Sequence, residues 1–143
     1  MYQRYHLSHL DALKIVAAIQ AELEKQGKSA AIAVTDTQGE LLAFLRIDGC
    51  KLPSIAIAIN KAFTAAREQK ESKIIGDSSR KNEFPMTNYG DLRYNAWGGV
   101  SPSFTRVKRS AQLVLVVCLK PKIWNWPKWV RGCSKKLIKD RGC

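Results

Sequence analysis

The stretch that decides the fold is Ala30-Ala-Ile-Ala-Val-Thr-Asp-Thr-Gln-Gly-Glu-Leu-Leu-Ala-Phe-Leu-Arg-Ile47. Two apolar runs with β propensity, 30–35 and 40–47, are separated by a polar turn that ends in glycine. Gly39 permits the positive φ that a tight hairpin commonly needs. The stretch therefore predicts two antiparallel strands joined by a hairpin.

Amphipathic helices are predicted on both sides of this hairpin. Before it, Ser8 and Asp11 form a capping-box-like pair, and apolar residues at 12, 16, 19 and 23 predict a helix over 9–26. After it, Ser54 is predicted to cap a second helix with an apolar stripe at 55, 59, 62, 63 and 66. Residues 72–93 hold Gly, Pro, Ser and Asn with little periodicity and predict a long surface loop, which usually serves function.

Length and composition predict one globular domain. The chain has 143 residues, 45% hydrophobic and 25% charged, which are ordinary values for a globular protein. Its apolar runs are shorter than the roughly 18 residues of a membrane span. The N-terminus lacks the layout of a signal peptide, so the expected compartment is the cytoplasm and no membrane partner is expected.

Charge is distributed unevenly along the chain. Residues 1–100 carry 13 basic and 11 acidic side chains, whereas residues 101–143 carry 11 basic and one acidic. Three of the four Trp and three of the four Cys also lie in 101–143. This change predicts a domain over 1–100 followed by a basic, Trp-rich tail over 101–143. The cysteines are too widely spaced for a zinc knuckle and are expected to be free thiols.

Six segments carry a family resemblance: Leu7-Ser-His-Leu-Asp-Ala12, Ile32-Ala-Val-Thr-Asp36, Gly39-Glu-Leu-Leu-Ala-Phe44, Arg46-Ile-Asp-Gly49, the helix 54–66 and Gly98-Gly-Val100. Their order and spacing, above all Ala58-Ile-Asn-Lys-Ala62, resemble the GlcG/HbpS-like family over about residues 7–100. That family includes the haem-binding C-terminal domain of PduO-type cobalamin adenosyltransferases. The resemblance implies an α+β fold, with profilin-like α/β/α layers around a five-stranded antiparallel sheet. It also implies oligomers and, in some members, binding of haem or a related tetrapyrrole.

Haem binding needs an apolar cleft and an iron ligand, usually His, Cys, Met or Tyr. His6 and His9, at the start of the first helix, are candidate axial ligands, or exposed histidines with no role. Met86 and Tyr89 in the predicted loop are further candidates.

Several other residues are candidates for contacts to the ligand. Lys61 lies beside the apolar stripe, where it either meets a haem propionate as a point charge or snorkels at the surface. Asn60 either bonds the ligand or caps a neighbouring loop. Arg46 is a candidate contact or a partner of Asp48, and Gly98-Gly99 permits close backbone approach to a ligand or forms a bulge.

The sequence thus predicts a small non-enzymatic protein that binds haem or a related tetrapyrrole as a small-molecule ligand and forms a homo-oligomer. One alternative is a basic nucleic-acid-binding protein acting through residues 101–143, with lysines on phosphates and Trp rings on bases. Another is an accessory enzyme of small-acid (glycolate-type) metabolism, which the resemblance alone suggests and for which the sequence offers no acid–base pair.

The tail departs from the family pattern in a way that predicts a frameshift. The message can be read in the frame that starts at the third base of each codon from Pro102 onward. With suitable third bases, that frame encodes a strand, a Glu-Gly turn, a second strand and a Ser-capped acidic helix. The family has these elements at this point. We therefore predict that 101–143 is an out-of-frame continuation of the same domain, caused by a single-base frameshift near Val100–Pro102. The apolar run 113–119 still has high β propensity, so it either pairs as a strand or promotes aggregation.

The frameshift prediction can be checked on the coding DNA from codon 95 to codon 130. Because the shifted reading fixes the third base of nearly every codon there, we expect those bases to be found. Other third bases would make the tail a genuine extension and would strengthen the nucleic-acid alternative.

Overall fold

A computed structural model describes residues 6–95 and 114–118 of the chain. Its helices and strands are, in chain order, α1 (His9–Lys25), β1 (Ala31–Thr35), β2 (Leu41–Arg46), α2 (Pro53–Glu68), α3 (Ser72–Lys81), a 3-10 helix (Met86–Tyr89) and β3 (Val114–Cys118).

β1 is the central strand of the described sheet. The strand order is β2-β1-β3, and both neighbours run antiparallel to β1. All five β1 residues are fully buried. The register with β2 pairs Ala31 with Arg46 and shifts between Val34 and Thr35. The backbone polar groups of β1 are thus shared between two neighbouring strands, which is how a fully buried strand satisfies them.

The hairpin between β1 and β2 is closed by Asp36. Its Oδ1 accepts hydrogen bonds from the backbone N–H groups of Gln38 at 2.8 Å and Glu40 at 2.9 Å. Asp side chains commonly stabilise turns in this way. Gly39 adopts a φ of +92°. The predicted hairpin, with a left-handed glycine, is confirmed.

The helices cover opposite faces of the sheet. α1 packs on β1 and β2, while α2 packs on β1 and β3, and α3 packs against α2. Ile32 and Val34 join the core beneath α1, and Ala31 and Ala33 join the core beneath α2. Because successive side chains of a strand point to opposite faces, α1 and α2 belong to separate layers. These α/β/α layers confirm the predicted α+β fold class.

The interface between α2 and β1 is built from small side chains. Four alanines of α2, each at most 2% exposed, meet the two alanines of β1: Ala58, Ala62, Ala65 and Ala66. Close-packed interiors tolerate added volume poorly, so larger residues at these positions would force the helix away from the sheet.

The first helix forms as predicted. Ser8 has an extended backbone, and its Oγ accepts a hydrogen bond from the N–H of Asp11 at 3.2 Å and donates one to the Asp11 carboxylate at 2.7 Å. The predicted apolar stripe is buried: Ala12, Val16, Ile19 and Leu23.

The predicted start of the second helix is wrong by two residues, because the cap position is Leu52 and not Ser54. α2 begins at Pro53, and Ser54 lies inside its first turn without acting as a cap. Proline is favoured at the first helical position because its fixed φ suits the helix and its missing N–H would have no helical partner there.

The prediction of one long loop over 72–93 is also wrong. Residues 72–81 form α3, and 86–89 form the 3-10 helix. α3 has few apolar residues, but Ser72 and Ile75 are buried. Packing against α2 therefore outweighs the loop-like composition, as tertiary contacts often outweigh propensity.

The described part of the apolar run 113–119 pairs with the sheet. Val114–Cys118 forms β3, with Ala31 opposite Cys118 and Thr35 opposite Val114. Of the two predicted outcomes for this run, strand pairing is the one observed. Three antiparallel strands lie in the described part of the chain, so the five strands that the resemblance implies remain a prediction.

A glycine pair allows a matched test of the hairpin. Gly39 and Gly27 both have positive φ, but a Cβ at 39 would lie 2.9 Å from Cδ2 of Phe63, whereas a Cβ at 27 would meet nothing within 4 Å. We expect Gly27→Ala to cost about 1–2 kcal/mol from the backbone alone. Gly39→Ala should cost about 1–3 kcal/mol more, because the 2%-exposed Phe63 ring has little room to move. Urea unfolding measures both; equal losses would contradict the proposed contact.

Candidate functional site

A cavity of about 460 Å³ lies between α3, the end of α2 and the segment 84–89. This volume is within the range of ligand-binding pockets, roughly 300–1,000 Å³. Its apolar lining consists of Ile74, Ile75, Phe84, Met86 and Tyr89. Its polar lining consists of Glu68, Lys70, Ser78, Ser79 and Asn82.

One face of α3 forms one side of the cavity. The lining positions 74, 75, 78, 79 and 82 follow the helical spacing of i, i+1, i+4, i+5 and i+8. The face is apolar in its first half, at Ile74 and Ile75, and polar in its second half, where the Asn82 amide donates to Ser78 Oγ at 3.2 Å. The cavity therefore offers a ligand both an apolar surface and groups that form hydrogen bonds.

The segment after α3 forms the opposite wall and is tied back to the helix. Ser79 Oγ donates to the carbonyl of Phe84 at 2.6 Å, and the N–H of Phe84 donates to the carbonyl of Ser79 at 3.1 Å. The Phe84 ring meets the Tyr89 ring edge-on, with centroids 6.1 Å apart. These contacts fix the two aromatic rings at the ends of this wall.

Thr64 on α2 anchors the chain that follows. Its fully buried Oγ1 donates to the carbonyl of Asn60 at 2.8 Å and accepts from the N–H of Asn95 at 2.8 Å. Tyr94, next to that anchor, stacks on Tyr89 with centroids 4.5 Å apart and 27° between the rings. The cavity wall is therefore connected to the core of α2 through one hydroxyl group and one ring stack.

A charged cluster packs over Phe63 beside this anchor. The Arg93 guanidinium lies 3.9 Å from the centroid of the Phe63 ring and donates to Asp91 Oδ2 at 2.9 Å. Arg67 and Arg93 also lie 3.6 and 3.8 Å from Oε1 of Glu40. The hydrogen bonds from Arg93 lower the pKa of Asp91, and the same pair raises the pKa of Arg93. Burial raises the pKa of Tyr94.

The structure does not gather the predicted site residues into one place. His6 and His9 are exposed at the start of α1, which packs on the face of the sheet opposite α2. Arg46 is exposed at the end of β2, and no ion pair with Asp48 forms in the part of the chain that the structure describes. A single ligand within one subunit would not reach both α1 and α2, because the sheet lies between them.

On α2, the predicted pair Asn60 and Lys61 are neighbours. Asn60 is half-buried and Lys61 is 5% exposed, so Lys61 is not a surface lysine. Gly98 and Gly99 lie outside the described residues. Of the predicted site residues that the structure describes, none lines the cavity, whereas Met86 and Tyr89, named as further iron-ligand candidates, both do.

The polar lining of the cavity was missed because 72–93 was interpreted as a loop. Ser78, Ser79 and Asn82 have no distinctive residue type, but together with Ile74 and Ile75 they follow a helical spacing. That spacing is the feature of the sequence that could have predicted α3 and its cavity-lining face. Within residues 6–95 and 114–118 there is no group of three His, Cys, Asp or Glu side chains placed to hold a metal ion. In the same residues no helix is both long enough and apolar enough to cross a membrane.

The pair of Asp91 and Arg93 yields a pH prediction. Because the folded-state pKa of Asp91 is lowered, the pair stabilises the fold above the unfolded-state pKa, and this contribution disappears as pH falls through the folded-state value. We expect Arg93→Gln to raise the pKa of Asp91 towards that of an ordinary aspartate, measured by carboxyl NMR shifts against pH. Arg67→Gln is the control, since Arg67 acts on Asp91 only through its charge and weakly. Equal shifts in both variants would contradict the assignment.

Comparison with known proteins places the chain in a family. The family model described as haem degrading protein HbpS-like matches residues 7–111. Protein GlcG of Escherichia coli K12 is 43% identical over 67 residues, which are 47% of this chain and 50% of that protein. The chain thus spans about half the length of the curated relatives it matches.

Solved structures agree in fold. A Streptomyces reticuli HbpS double mutant has a TM-score of 0.70 at 22% identity, covering 100% of this chain and 92% of that one. Klebsiella pneumoniae protein ORFY has a TM-score of 0.71 at 18% identity, covering 85% and 83% of the two chains. A PduOC–haem complex has a TM-score of 0.66 at 15% identity, covering 94% of each chain. Together with the family model that matches most of its length, this shows that the chain belongs to the HbpS-like family.

Proposed function

We propose that this protein binds haem or a related tetrapyrrole in the cavity between α3 and the segment 84–89. The observation that carries the proposal is the two-sided lining of that cavity, with apolar side chains and rings on one part and polar groups on another. The haem named in the description of the family and in the PduOC complex makes a tetrapyrrole the first ligand to test.

The side chains present fit the chemistry of such a ligand. A porphyrin ring buries two apolar faces, and Ile74, Phe84 and Tyr89 are 53%, 50% and 43% exposed, so they still have apolar surface to cover. Propionate groups need a cation or hydrogen-bond donors, which Lys70, Ser78 and Asn82 could supply. When bound, haem would supply redox and ligand-binding chemistry at its iron.

The other predicted site residues remain proposals beside this cavity. Asn60 and Lys61 form a second candidate contact on α2, where a buried ammonium could meet a ligand carboxylate. His6, His9 and Arg46 would reach a ligand only from the α1 layer or from the end of β2. The proposed homo-oligomer could bring such groups near a neighbouring subunit's ligand, and light scattering during a haem titration would report the assembly.

The family description also names a second candidate function, degradation of haem. A loaded sample given ascorbate and air would lose its Soret band progressively if the protein degrades haem. If the protein only binds haem, its Soret band should decay no faster than that of haem bound to serum albumin under the same conditions. The small-acid enzyme remains a prediction. The nucleic-acid alternative concerns residues 101–143, of which only 114–118 are described.

The test is a haem titration followed by absorbance, with two matched tryptophan variants on α3. Ser78→Trp would fill the cavity, whereas Arg80→Trp changes a side chain that does not line it. We expect saturable binding by the unmodified protein and by Arg80→Trp, and at least about a tenfold weaker affinity for Ser78→Trp, equivalent to 1.4 kcal/mol. The exposed ion pair of Arg80 with Asp77 should contribute little to stability.

Two outcomes would contradict the proposal. Without a Soret shift on a folded sample, judged by circular dichroism, the protein would not bind haem. Equal affinities of the two tryptophan variants would place the ligand outside this cavity, and the α2 pair would then be tested next.

A further inference from the structure

We propose that the thioether sulfur of Met86 is the axial ligand of the haem iron. This inference rests on the proposed function, because it presumes that a tetrapyrrole occupies the cavity. It begins with an observation about residue types. Among the described residues that line the cavity, two side chains belong to the types that commonly ligate haem iron, Met86 and Tyr89.

Neither histidine of the same subunit lines this cavity. His6 and His9 are the chain's two histidines, and both are exposed at the start of α1. α1 packs on β1 and β2, whereas α3, which lines the cavity, packs on α2 across the sheet. The side chain ordinarily expected to ligate haem iron is therefore absent from the lining.

Tyr89 is committed to other contacts. Its ring stacks on Tyr94 and meets Phe84 edge-on, so that it forms part of a fixed aromatic wall. Any rotation of this ring to suit an iron atom would disturb both ring contacts. A tyrosine also ligates iron as a phenolate and must give up a proton, whereas a thioether is neutral and needs no proton transfer.

Met86 is placed to adapt to a ligand. It is half-buried and is the first residue of the 3-10 helix, directly after Pro85, whose φ is −65°. Methionine has three rotatable bonds and a polarisable sulfur, so its side chain can adjust within a site whose backbone is fixed. The wall thus contains two fixed aromatic rings, Phe84 and Tyr89. Met86 lies between them in the sequence and has the flexible side chain.

A thioether ligand predicts a redox property. Soft sulfur favours ferrous over ferric iron, and methionine ligation raises the reduction potential of haem. With imidazole added as a second iron ligand, we expect the loaded ferric protein to show the red sulfur-to-iron charge-transfer band that is typical of Met/His ligation. We also expect Met86→Leu, which keeps an apolar side chain of similar size, to lose that band. The ratio of ferrous to ferric affinity should fall about tenfold in this variant, equivalent to about 59 mV for one electron.

The experiment compares the unmodified protein, Met86→Leu, Tyr89→Phe and the control Arg80→Trp, whose side chain does not line the cavity. The two probes are haemin and metal-free protoporphyrin. Spectra and potentiometric titration are recorded for haemin, and fluorescence titration for the porphyrin. Arg80→Trp should retain both the band and the porphyrin affinity, whereas Met86→Leu should lose the band and still bind porphyrin. Porphyrin binding by Met86→Leu also reports that this variant is folded.

The outcomes separate this inference from the proposed function. If porphyrin and haemin bind but the band is absent, or if it survives in Met86→Leu, Met86 is not the ligand and the proposed function stands. Loss of the haemin spectrum in Tyr89→Phe alone would assign the iron to the phenol instead. If neither probe binds the unmodified protein, both proposals are overturned.

Discussion

The buried strand β1 is the constraint on which the rest of the structure depends. It is hydrogen-bonded along both edges, and its side chains alternate between the layer of α1 and the layer of α2. A slip of one residue would exchange the two sets of side chains and put Ile32 and Val34 where α2 has room only for alanine. The small residues at 31 and 33 therefore fix both the register of the hairpin and the depth at which α2 lies.

The position of the cavity follows from α2. Its buried Thr64 hydroxyl holds the backbone at Asn95, the neighbouring Tyr94 stacks on Tyr89, and Tyr89 belongs to the cavity wall. At the other end the wall is bonded to α3 through Phe84. A segment held at both ends keeps its shape without a regular sheet or long helix of its own. This explains how a stretch with loop-like composition can form one side of a binding site.

The sequence predicted those elements whose determinants are local, but it did not predict the cavity. The hairpin, α1 and the strand at 114–118 follow from turn residues, a cap and β propensity. α3 depends on its contact with α2, which composition does not reveal. Lys61 is buried because α2 packs on β1, β3 and α3, so more of the helix is covered than one apolar stripe indicates. His9 was chosen by residue type, and only the layer order shows that it lies across the sheet from Asn60.

The charged side chains near the cavity differ in whether they already have partners in the described part of the chain. Arg93 packs on Phe63, and its charge is engaged by Asp91 and Glu40, so a ligand acid would have to compete with two carboxylates already in place. Each exposed ion pair contributes little to the stability of the fold by itself. Together with the contact to Phe63, the two pairs hold the Arg93 guanidinium in place. Lys70, by contrast, lines the cavity and makes no ion pair within the described part of the chain. Arg93 therefore stabilises the wall, and Lys70 is the cation that the proposed function assigns to a ligand acid.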